Sequence, residues 1–305
     1  MSVRPEEKSN AAPITRKKVT LQRLHALKEE RIPITVITAY DYPTGLRSEK
    51  NDIDICLVGD SLAQVALGYD STTRLTLDEM IHHCKAVSRG AKTPFLVADM
   101  PFGTYHGGVD ATVRNAVRLV QEGGVEAVKM EGGPEIADII SRLTSLGIPV
   151  MSHVGLLPQR HTALSGYRVQ GRDALTAYSV FKSAKVLQDA GSFAIVLEAI
   201  PHQLAGYITQ ALRIPTIGIG AGPACSGQVL VHDDAVGVWS GHKAKFVRRF
   251  AEVGKGAGEG VASYAAAVRS GQFPDVVGES YGMDAGQWQE FQNLVESAGI
   301  TPNGS

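Results

Sequence analysis

The amino-acid sequence predicts an α/β protein folded as a (β/α)8 TIM barrel, and three observations support this fold class. Eight strand-like apolar segments alternate with stretches of helical periodicity. The strand-like segments are almost continuously apolar, as the strands of a parallel sheet buried on both faces must be. Five of them end in one or two ionisable residues, which is typical of barrels whose active site lies at the carboxyl ends of the strands.

The order of the elements favours a closed barrel over an open sheet. A predicted N-terminal helix covers residues 20–30, and eight alternating units follow it in one chain without a long linker. The predicted strands cover residues 34–40, 55–60, 95–100, 127–131, 149–154, 194–198, 215–219 and, with a weaker pattern, 229–238. The predicted helices between them include residues 75–89, 109–121, 135–146, 174–189 and 203–212.

Three regions are expected along the chain. Residues 1–18 are polar and contain two prolines, so we expect a disordered N-terminus there. The catalytic barrel is expected over residues 19–274. Residues 275–305 are expected to form a partly helical C-terminal extension, because apolar side chains fall on one side of a helix over residues 284–297.

Composition and charge indicate a globular protein that acts on a small molecule. Of the 305 residues, 44% are hydrophobic, which is enough for the core of one large barrel. The formal net charge is -1, so no strong field favours nucleic acid or a membrane surface. No apolar run reaches the roughly 20 residues that span a bilayer. We therefore expect neither nucleic acid nor a membrane as a partner.

Cysteine usage favours a reducing compartment. Cys56, Cys84 and Cys225 are widely spaced and form no Cys-x-x-Cys pair, so neither a zinc site nor a disulfide framework is indicated. The N-terminus has no apolar segment typical of a secretion signal. We expect a cytoplasmic protein, or one of the mitochondrial matrix if an N-terminal segment was trimmed.

Three carboxylates end consecutive predicted strands. Asp60 ends the second strand, Asp99 lies near the end of the third, and Glu131 ends the fourth. These strands are neighbours in a barrel built in chain order. Carboxylate oxygens from adjacent strand ends suit Mg²⁺, whereas zinc more often takes cysteine or histidine ligands. The structural alternative is that each acid caps the helix that follows its strand.

Three further ionisable residues occupy strand ends. Lys129 lies two positions before Glu131, so both side chains point the same way. Lys129 either forms a structural ion pair or serves as the cation that holds an anionic substrate. His153 is either a hydrogen-bonded core residue or part of the site. Glu198 ends an apolar strand opposite the metal candidates, where it can act as a general base, cap a helix or form a salt bridge.

Two loop segments carry weaker signals. Residues 218–222 (GIGAG) resemble a phosphate-binding turn, but they lack the Gly-x-Gly-x-x-Gly spacing. They can equally allow a substrate or the backbone to approach closely. Residues 159–172 are polar and contain glycine, as expected of a mobile lid over the mouth of the barrel.

A series of short motifs lies in order along the chain: ITAYDYP, LVGDSL, GYDST, VADMPF, VKMEGG, HVGLLPQ, GYRVQGR, VLEAIP, IGIGAG and VHDDAVG. Together they resemble the ketopantoate hydroxymethyltransferase (3-methyl-2-oxobutanoate hydroxymethyltransferase) family, which belongs to the phosphoenolpyruvate/pyruvate-type barrel superfamily. The resemblance runs from about residue 21 to residue 274. Because so many motifs occur in register, the resemblance is specific.

The resemblance implies an activity and its requirements. Members of this family transfer a hydroxymethyl group from 5,10-methylenetetrahydrofolate to 3-methyl-2-oxobutanoate and give 2-dehydropantoate (ketopantoate). The reaction passes through a Mg²⁺-stabilised enolate and belongs to pantothenate and coenzyme A biosynthesis. The resemblance also implies a homodecamer, built as a pentamer of dimers.

The resemblance further implies roles for individual residues. Three acids are expected to hold Mg²⁺: Asp60, Asp99 and Glu131. Asp60 and Asp99 are also expected to contact the substrate. The 2-oxo acid is expected to bind the metal through its carboxylate and keto oxygens, with Ser61 and Lys129 at its carboxylate end. Glu198 is expected to be the general base for proton removal at C3. His153 and Tyr40 are expected to orient the substrate or share protons.

Two departures from the family pattern leave these metal ligands unchanged. Ser152 stands where glycine is common, and His232, Asp233 and Asp234 replace a Met-His-Asp run. Two alternatives to hydroxymethyl transfer remain. A lyase or mutase of the same superfamily would use the metal without the folate. A non-catalytic barrel paralogue would be expected to lack at least one strand-end acid.

Overall fold

Eight parallel strands pair in chain order and close into a barrel in a computed structural model, which describes residues 16–163, 165–239 and 243–299. The last strand pairs with the first, so the ring is complete. The strands are β1 (Ile34–Thr38), β2 (Ile55–Val58), β3 (Phe95–Asp99), β4 (Ala127–Glu131), β5 (Val150–Gly155), β6 (Ala194–Glu198), β7 (Thr216–Ile219) and β8 (Gly227–Leu230). This architecture confirms the predicted fold class.

The described residues also form eleven α-helices. They are α1 (Leu21–Glu29), α2 (Tyr42–Lys50), α3 (Leu62–Val65), α4 (Leu77–Gly90), α5 (Val109–Gln121), α6 (Ala137–Ser145), α7 (Ala174–Asp189), α8 (His202–Ala211), α9 (His232–Val236), α10 (Val253–Ser270) and α11 (Ala285–Ser297). The chain divides into two compact units after residue 251, the second of which contains α10 and α11. Among the described residues, no helix has the length and apolar character needed to cross a membrane.

Side-chain caps explain where several helices begin. Thr76 and Glu79 form a reciprocal capping box at the start of α4, and Asp173 and Thr176 form another at the start of α7. Thr20 caps α1 by accepting a hydrogen bond from a backbone N–H of the first turn. Each cap satisfies backbone donors that the helix itself cannot pair and contributes about 1 kcal/mol.

The alternation of side chains along each strand separates two cores. Ile55 and Leu57 of β2 belong to the core inside the barrel, whereas Cys56 and Val58 pack in the layer between strands and helices. Leu24 of α1 joins the inner core and is 1% exposed, which stabilises the fold by roughly 1.5–3 kcal/mol. Inward-facing positions at the carboxyl ends of the strands therefore point toward the mouth of the barrel.

The structure differs from the sequence prediction around the eighth strand. β8 ends at Leu230, and α9 occupies part of the segment predicted as strand over residues 229–238. The link between β7 and β8 covers residues 220–226 and contains no helix. Gly220 and Gly222 have positive φ in this link, which an α-helix does not allow. Helices α2, α3 and α10 were not predicted.

Candidate active site

A cavity of about 180 Å³ opens at the carboxyl ends of the strands. It is smaller than the roughly 300–1,000 Å³ of pockets for drug-sized ligands, so its size suits a small metabolite. Its lining includes Asp60, Ser61, Gln64, Asp99, Lys129, Glu131, His153, Tyr167, Glu198, Ile219, Val231, Asp234 and Phe246.

All six ionisable residues predicted at strand ends line this cavity. The parallel register places Asp99 of β3 opposite Lys129 of β4, and Glu131 of β4 opposite His153 of β5. Because side chains two residues apart share a face, Lys129 and Glu131 both point into the barrel. We call the set the charged cluster, and its members are Asp60, Asp99, Lys129, Glu131, His153 and Glu198.

A buried ion pair joins two neighbouring strands of the charged cluster. Lys129 Nζ lies 2.6 Å from Asp99 Oδ1 and donates a hydrogen bond to it. Burial opposes the charge on Lys129, but the carboxylates of Asp99, Glu131 and Asp60 outweigh burial and raise its pKa. Lys129 therefore remains a cation at neutral pH and is held at a fixed position in the cavity.

Asp60 lies just beyond the end of β2 and is held by two neighbours. Its backbone N–H donates to Asp99 Oδ2 at 2.8 Å, and Gln159 Nε2 donates to Asp60 Oδ2 at 2.9 Å. Burial raises the pKa of Asp60 well above its ordinary value, and the charges of Asp99 and Glu131 raise it further. Negative charge is therefore crowded at this end of the cavity.

His153 lies between two glutamates. Its Nδ1 is 3.6 Å from Glu131 Oε1, and its Nε2 is 3.2 Å from Glu198 Oε2. Burial and Lys129 oppose a charge on His153, but the two glutamates outweigh them and raise its pKa to about 9. Burial alone would raise the pKa of Glu131, yet His153 and Lys129 leave it lowered. These opposite shifts favour the protonated form of His153 and the ionised form of Glu131.

The sequence prediction missed Gln159, which it assigned to the beginning of a mobile lid. Gln159 is buried: its backbone N–H donates to Glu131 Oε2, and its side-chain Nε2 donates to Asp60 Oδ2 and to the carbonyl oxygen of Met100. The hydroxyl of Tyr105 donates to Gln159 Oε1 at 2.7 Å. The available signal was its position shortly after β5, since other members of the site also lie close to strand ends.

Two predicted substrate-binding residues are placed differently from each other. Ser61 follows Asp60 and lines the cavity beside the charged cluster. Tyr40 is absent from the lining that the described residues form, and its hydroxyl donates to Asp233 Oδ1 at 2.7 Å. Burial and this contact with Asp233 raise the pKa of Tyr40. The roles assigned to these residues stay predictions.

The chemistry of the charged cluster fits a divalent cation. Its four carboxylates outnumber its two cations, and Glu131 Oε1 is buried without a hydrogen-bond partner. Within the described part of the chain, no three His, Cys, Asp or Glu side chains already converge as a metal site. Mg²⁺ usually binds only one or two carboxylates directly and keeps several waters. Asp60, Asp99 and Glu131 are therefore the residues that could hold it, in part through water.

The fold and this cavity define a class: β/α barrels with a charged cavity at the carboxyl ends of their strands, which is where enzymes of this fold have their active sites. A phosphonopyruvate hydrolase, solved in complex with oxalate and Mg²⁺, aligns with a TM-score of 0.56, 13% identity and coverage of 91% of this chain and 98% of that chain. A 2,3-dimethylmalate lyase of the PEP mutase/isocitrate lyase superfamily aligns with a TM-score of 0.51, 17% identity and coverage of 92% and 96%. At such identities, the likeness shows the fold alone.

The sequence relatives define the family. A family model described as ketopantoate hydroxymethyltransferase matches residues 18–276. A 3-methyl-2-oxobutanoate hydroxymethyltransferase of Deinococcus radiodurans is 53% identical, over 79% of this chain and 86% of its own length. The protein of the same name from Oleidesulfovibrio alaskensis is 48% identical, over 92% and 96%. The chain therefore belongs to the ketopantoate hydroxymethyltransferase family and is an enzyme, which confirms the resemblance seen in its motifs.

Proposed function

We propose that this enzyme transfers a hydroxymethyl group from 5,10-methylenetetrahydrofolate to 3-methyl-2-oxobutanoate and forms 2-dehydropantoate, a step of pantothenate and coenzyme A biosynthesis. One observation carries the proposal. A carboxylate at the end of β6, Glu198, lies across the cavity from Asp60 and Ser61 at the end of β2, because β2 and β6 are four strands apart in an eight-stranded ring. A candidate base and a group that can bind the substrate thus face each other across a cavity of metabolite size.

Lys129 and Ser61 are proposed to hold the carboxylate of the 2-oxo acid. Lys129 is a buried, fixed cation in the cavity wall, and Ser61 lines the same wall next to Asp60. The ammonium group of Lys129 has three N–H donors, and Asp99 Oδ1 accepts one of them, which leaves donors for a substrate carboxylate. The substrate carboxylate at this position would direct C3 toward the opposite wall of the barrel.

Glu198 is proposed to remove the proton from C3. Its side chain is 13% exposed, and its Oε2 lies 3.2 Å from Nε2 of His153. After proton removal, C3 attacks the one-carbon unit of the donor. Water hydrolyses both bonds from that carbon to the folate nitrogens, so that tetrahydrofolate leaves with two new N–H bonds and the one-carbon unit is released at the oxidation level of formaldehyde. The new carbon–carbon bond joins C3 to this carbon, and its oxygen, which came from water, takes up a proton to become the hydroxyl.

Mg²⁺ is proposed on Asp60, Asp99 and Glu131. When bound, the ion supplies a Lewis-acidic charge that stabilises the negative charge developing on the 2-oxo group. Gln159 holds two of these three carboxylates by hydrogen bonds, to Glu131 Oε2 and to Asp60 Oδ2, and so limits their movement.

Proton–deuterium exchange at C3 of 3-methyl-2-oxobutanoate, followed by NMR with and without Mg²⁺, tests the proposal. We expect Mg²⁺-dependent exchange without any donor, and formation of 2-dehydropantoate when methylenetetrahydrofolate is added. Absence of exchange in folded, Mg²⁺-loaded protein would contradict the proposal and favour a lyase or mutase of the same superfamily.

The variant Glu198→Gln tests the assignment of the base. We expect it to bind the 2-oxo acid while C3 exchange slows by about 10²–10⁴-fold, which is the usual contribution of a positioned general base. Glu122→Gln, which alters an exposed glutamate paired with Arg118, is the matched control and should exchange at the native rate. Native exchange in Glu198→Gln would remove Glu198 from the role of base.

We also propose that the enzyme is a homo-oligomer, a decamer by the family resemblance, in the cytoplasm or the mitochondrial matrix. None of the residues of α10 is buried, although the helix carries Val261, Tyr264 and Val268. Four glycines lower its intrinsic helix propensity, so packing against a second copy would supply the missing stability. Light scattering should show a multimer, and Tyr264→Glu should reduce its mass.

A further inference from the structure

The mouth of the cavity differs chemically from the charged cluster below it. Two aromatic side chains line the mouth, and we call them the aromatic rim: Tyr167 and Phe246. Apolar Ile219 and Val231 line the same cavity. The cavity thus offers charges at depth and flat apolar surfaces at its entrance, which suit two chemically different molecules.

Phe246 occupies a position that the neighbouring backbone makes possible. A Cβ atom at Gly220 would lie only 2.7 Å from Cδ1 of the Phe246 ring, and Gly220 has φ of +63°. Gly220 belongs to the GIGAG segment directly after β7, so the glycine there allows the ring to lie against the strand end. The segment therefore serves close approach of an aromatic side chain, yet Phe246 is still 37% exposed.

Tyr167 comes from the connection between β5 and α7. Its ring stacks on His161, with centroids 5.8 Å apart and planes 8° from parallel. Although one side of the ring is covered in this way, Tyr167 remains 56% exposed. Large aromatic side chains that stay exposed while lining a cavity are typical of ligand-binding surfaces.

The geometry of the reaction indicates which ligand this surface receives. The inference rests on the proposed function. The small acid occupies the charged cluster, so the one-carbon donor has to approach C3 from the mouth. We propose that Tyr167 and Phe246 bind the planar nitrogen-containing ring system of the donor by stacking and apolar contact.

The carboxylate of Asp234 adds a polar feature to the same surface. Asp234 is half-buried and lines the cavity with the aromatic rim. A carboxylate there can accept hydrogen bonds from the N–H groups at the edge of a nitrogen heterocycle. It disfavours an anionic ring, so the surface selects a neutral, N–H-bearing planar ligand.

Steady-state kinetics on Tyr167→Ala and Phe246→Leu test the inference. Since stacking of a heterocyclic base on an aromatic side chain is typically worth a factor of about 5–100, we expect the donor KM to rise by that factor in each variant. C3 exchange needs no donor, so it serves as the internal reference. The fold increase in donor KM should be at least about five times the fold change in the rate of C3 exchange.

Variants that retain a ring keep the test independent of folding. Tyr167→Phe and Phe246→Tyr should keep a donor KM within about twofold of the native value. Equilibrium binding of tetrahydrofolate, measured with the 2-oxo acid and Mg²⁺ present, should weaken in the ring-deleting variants and not in the ring-retaining ones.

The outcomes separate this inference from the proposed function. Absence of exchange in the native enzyme would contradict the proposed function itself. If Tyr167→Ala and Phe246→Leu kept native C3 exchange, donor KM and tetrahydrofolate affinity, the proposed role of the aromatic rim would be wrong. The proposed function would remain intact. Equal losses in the ring-retaining variants would also overturn it, because stacking would then not be the cause.

Discussion

The two halves of the barrel are built on the same strand pattern but end differently. Five consecutive strands, β2–β6, each have a member of the charged cluster at or just beyond their carboxyl ends. The remaining three, β7, β8 and β1, have Ile219, Val229 and Thr38 in the lining instead. Because both halves close the same ring, barrel formation does not require charged strand ends. The charges on one half are therefore not required for packing of the barrel.

The charged half carries an energetic cost that its internal contacts offset. A buried charge without a partner is strongly unfavourable, and here Lys129, His153 and Gln159 each contact carboxylates of the cluster. The half formed by β7, β8 and β1, which we call the apolar half, has one charged side chain in its lining, the half-buried Asp234. Substitutions of its apolar residues should therefore have smaller effects on stability. The following variants test this contrast, beginning with the largest expected effect.

Removing one partner of the buried ion pair should have the largest effect. Asp99→Ala leaves Lys129 buried without its 2.6 Å partner, so we expect a loss of about 3–5 kcal/mol in the free energy of unfolding, together with loss of turnover. Urea denaturation measures the first quantity and product formation the second.

The double variant Asp99→Ala/Lys129→Met sharpens the same comparison. It replaces the pair with apolar groups, so most of the lost stability should return while turnover stays absent. If turnover returned with stability, the pair would be structural and its role in the site would be wrong.

Gln159 should rank next, because it supports the cluster without being charged. Gln159→Ala removes the side-chain donor to Asp60 and leaves buried polar atoms unpaired, which costs about 1–3 kcal/mol. We expect C3 exchange to fall by about 10–100-fold, as is common when groups that orient metal ligands are removed. Tyr105→Phe removes only the hydroxyl that contacts Gln159. It should also lower the rate of C3 exchange, but by a smaller factor than Gln159→Ala. Native exchange in Gln159→Ala would show that the carboxylates need no such support.

The apolar half should respond to shape rather than to charge. Gly220→Ala places a methyl group 2.7 Å from the Phe246 ring at a positive φ, so we expect destabilisation of about 1–2 kcal/mol. C3 exchange should remain within about twofold of native, since the charged cluster is untouched, while the donor KM should rise. If Gly220→Ala lowered C3 exchange without changing the donor KM, the two halves would not have the separate roles described here. Thermal unfolding and the two kinetic assays together provide the measurement.

Much of the barrel was predictable because its signals are local. Buried parallel strands need continuous apolar runs, and ionisable residues at their ends stand out against them, as Asp99, Lys129, Glu131 and Glu198 do. The elements that the sequence prediction missed also have local causes. Helix α10 contains four glycines, which favour other conformations, and the positive φ values that exclude a helix after β7 leave only a glycine-rich pattern in the sequence.

Which residues contact each other was decided by the tertiary structure. Lys129 contacts Asp99 on the neighbouring strand, Gln159 contacts Asp60 over 99 residues of chain, and Tyr40 donates to Asp233 rather than lining the cavity. The amino-acid sequence by itself determined the barrel, the family and the six ionisable residues, because periodicity and motifs are written in consecutive residues. The network that fixes their charges required the closed ring, because only the register between neighbouring strands and the loops above them bring distant side chains within hydrogen-bonding distance.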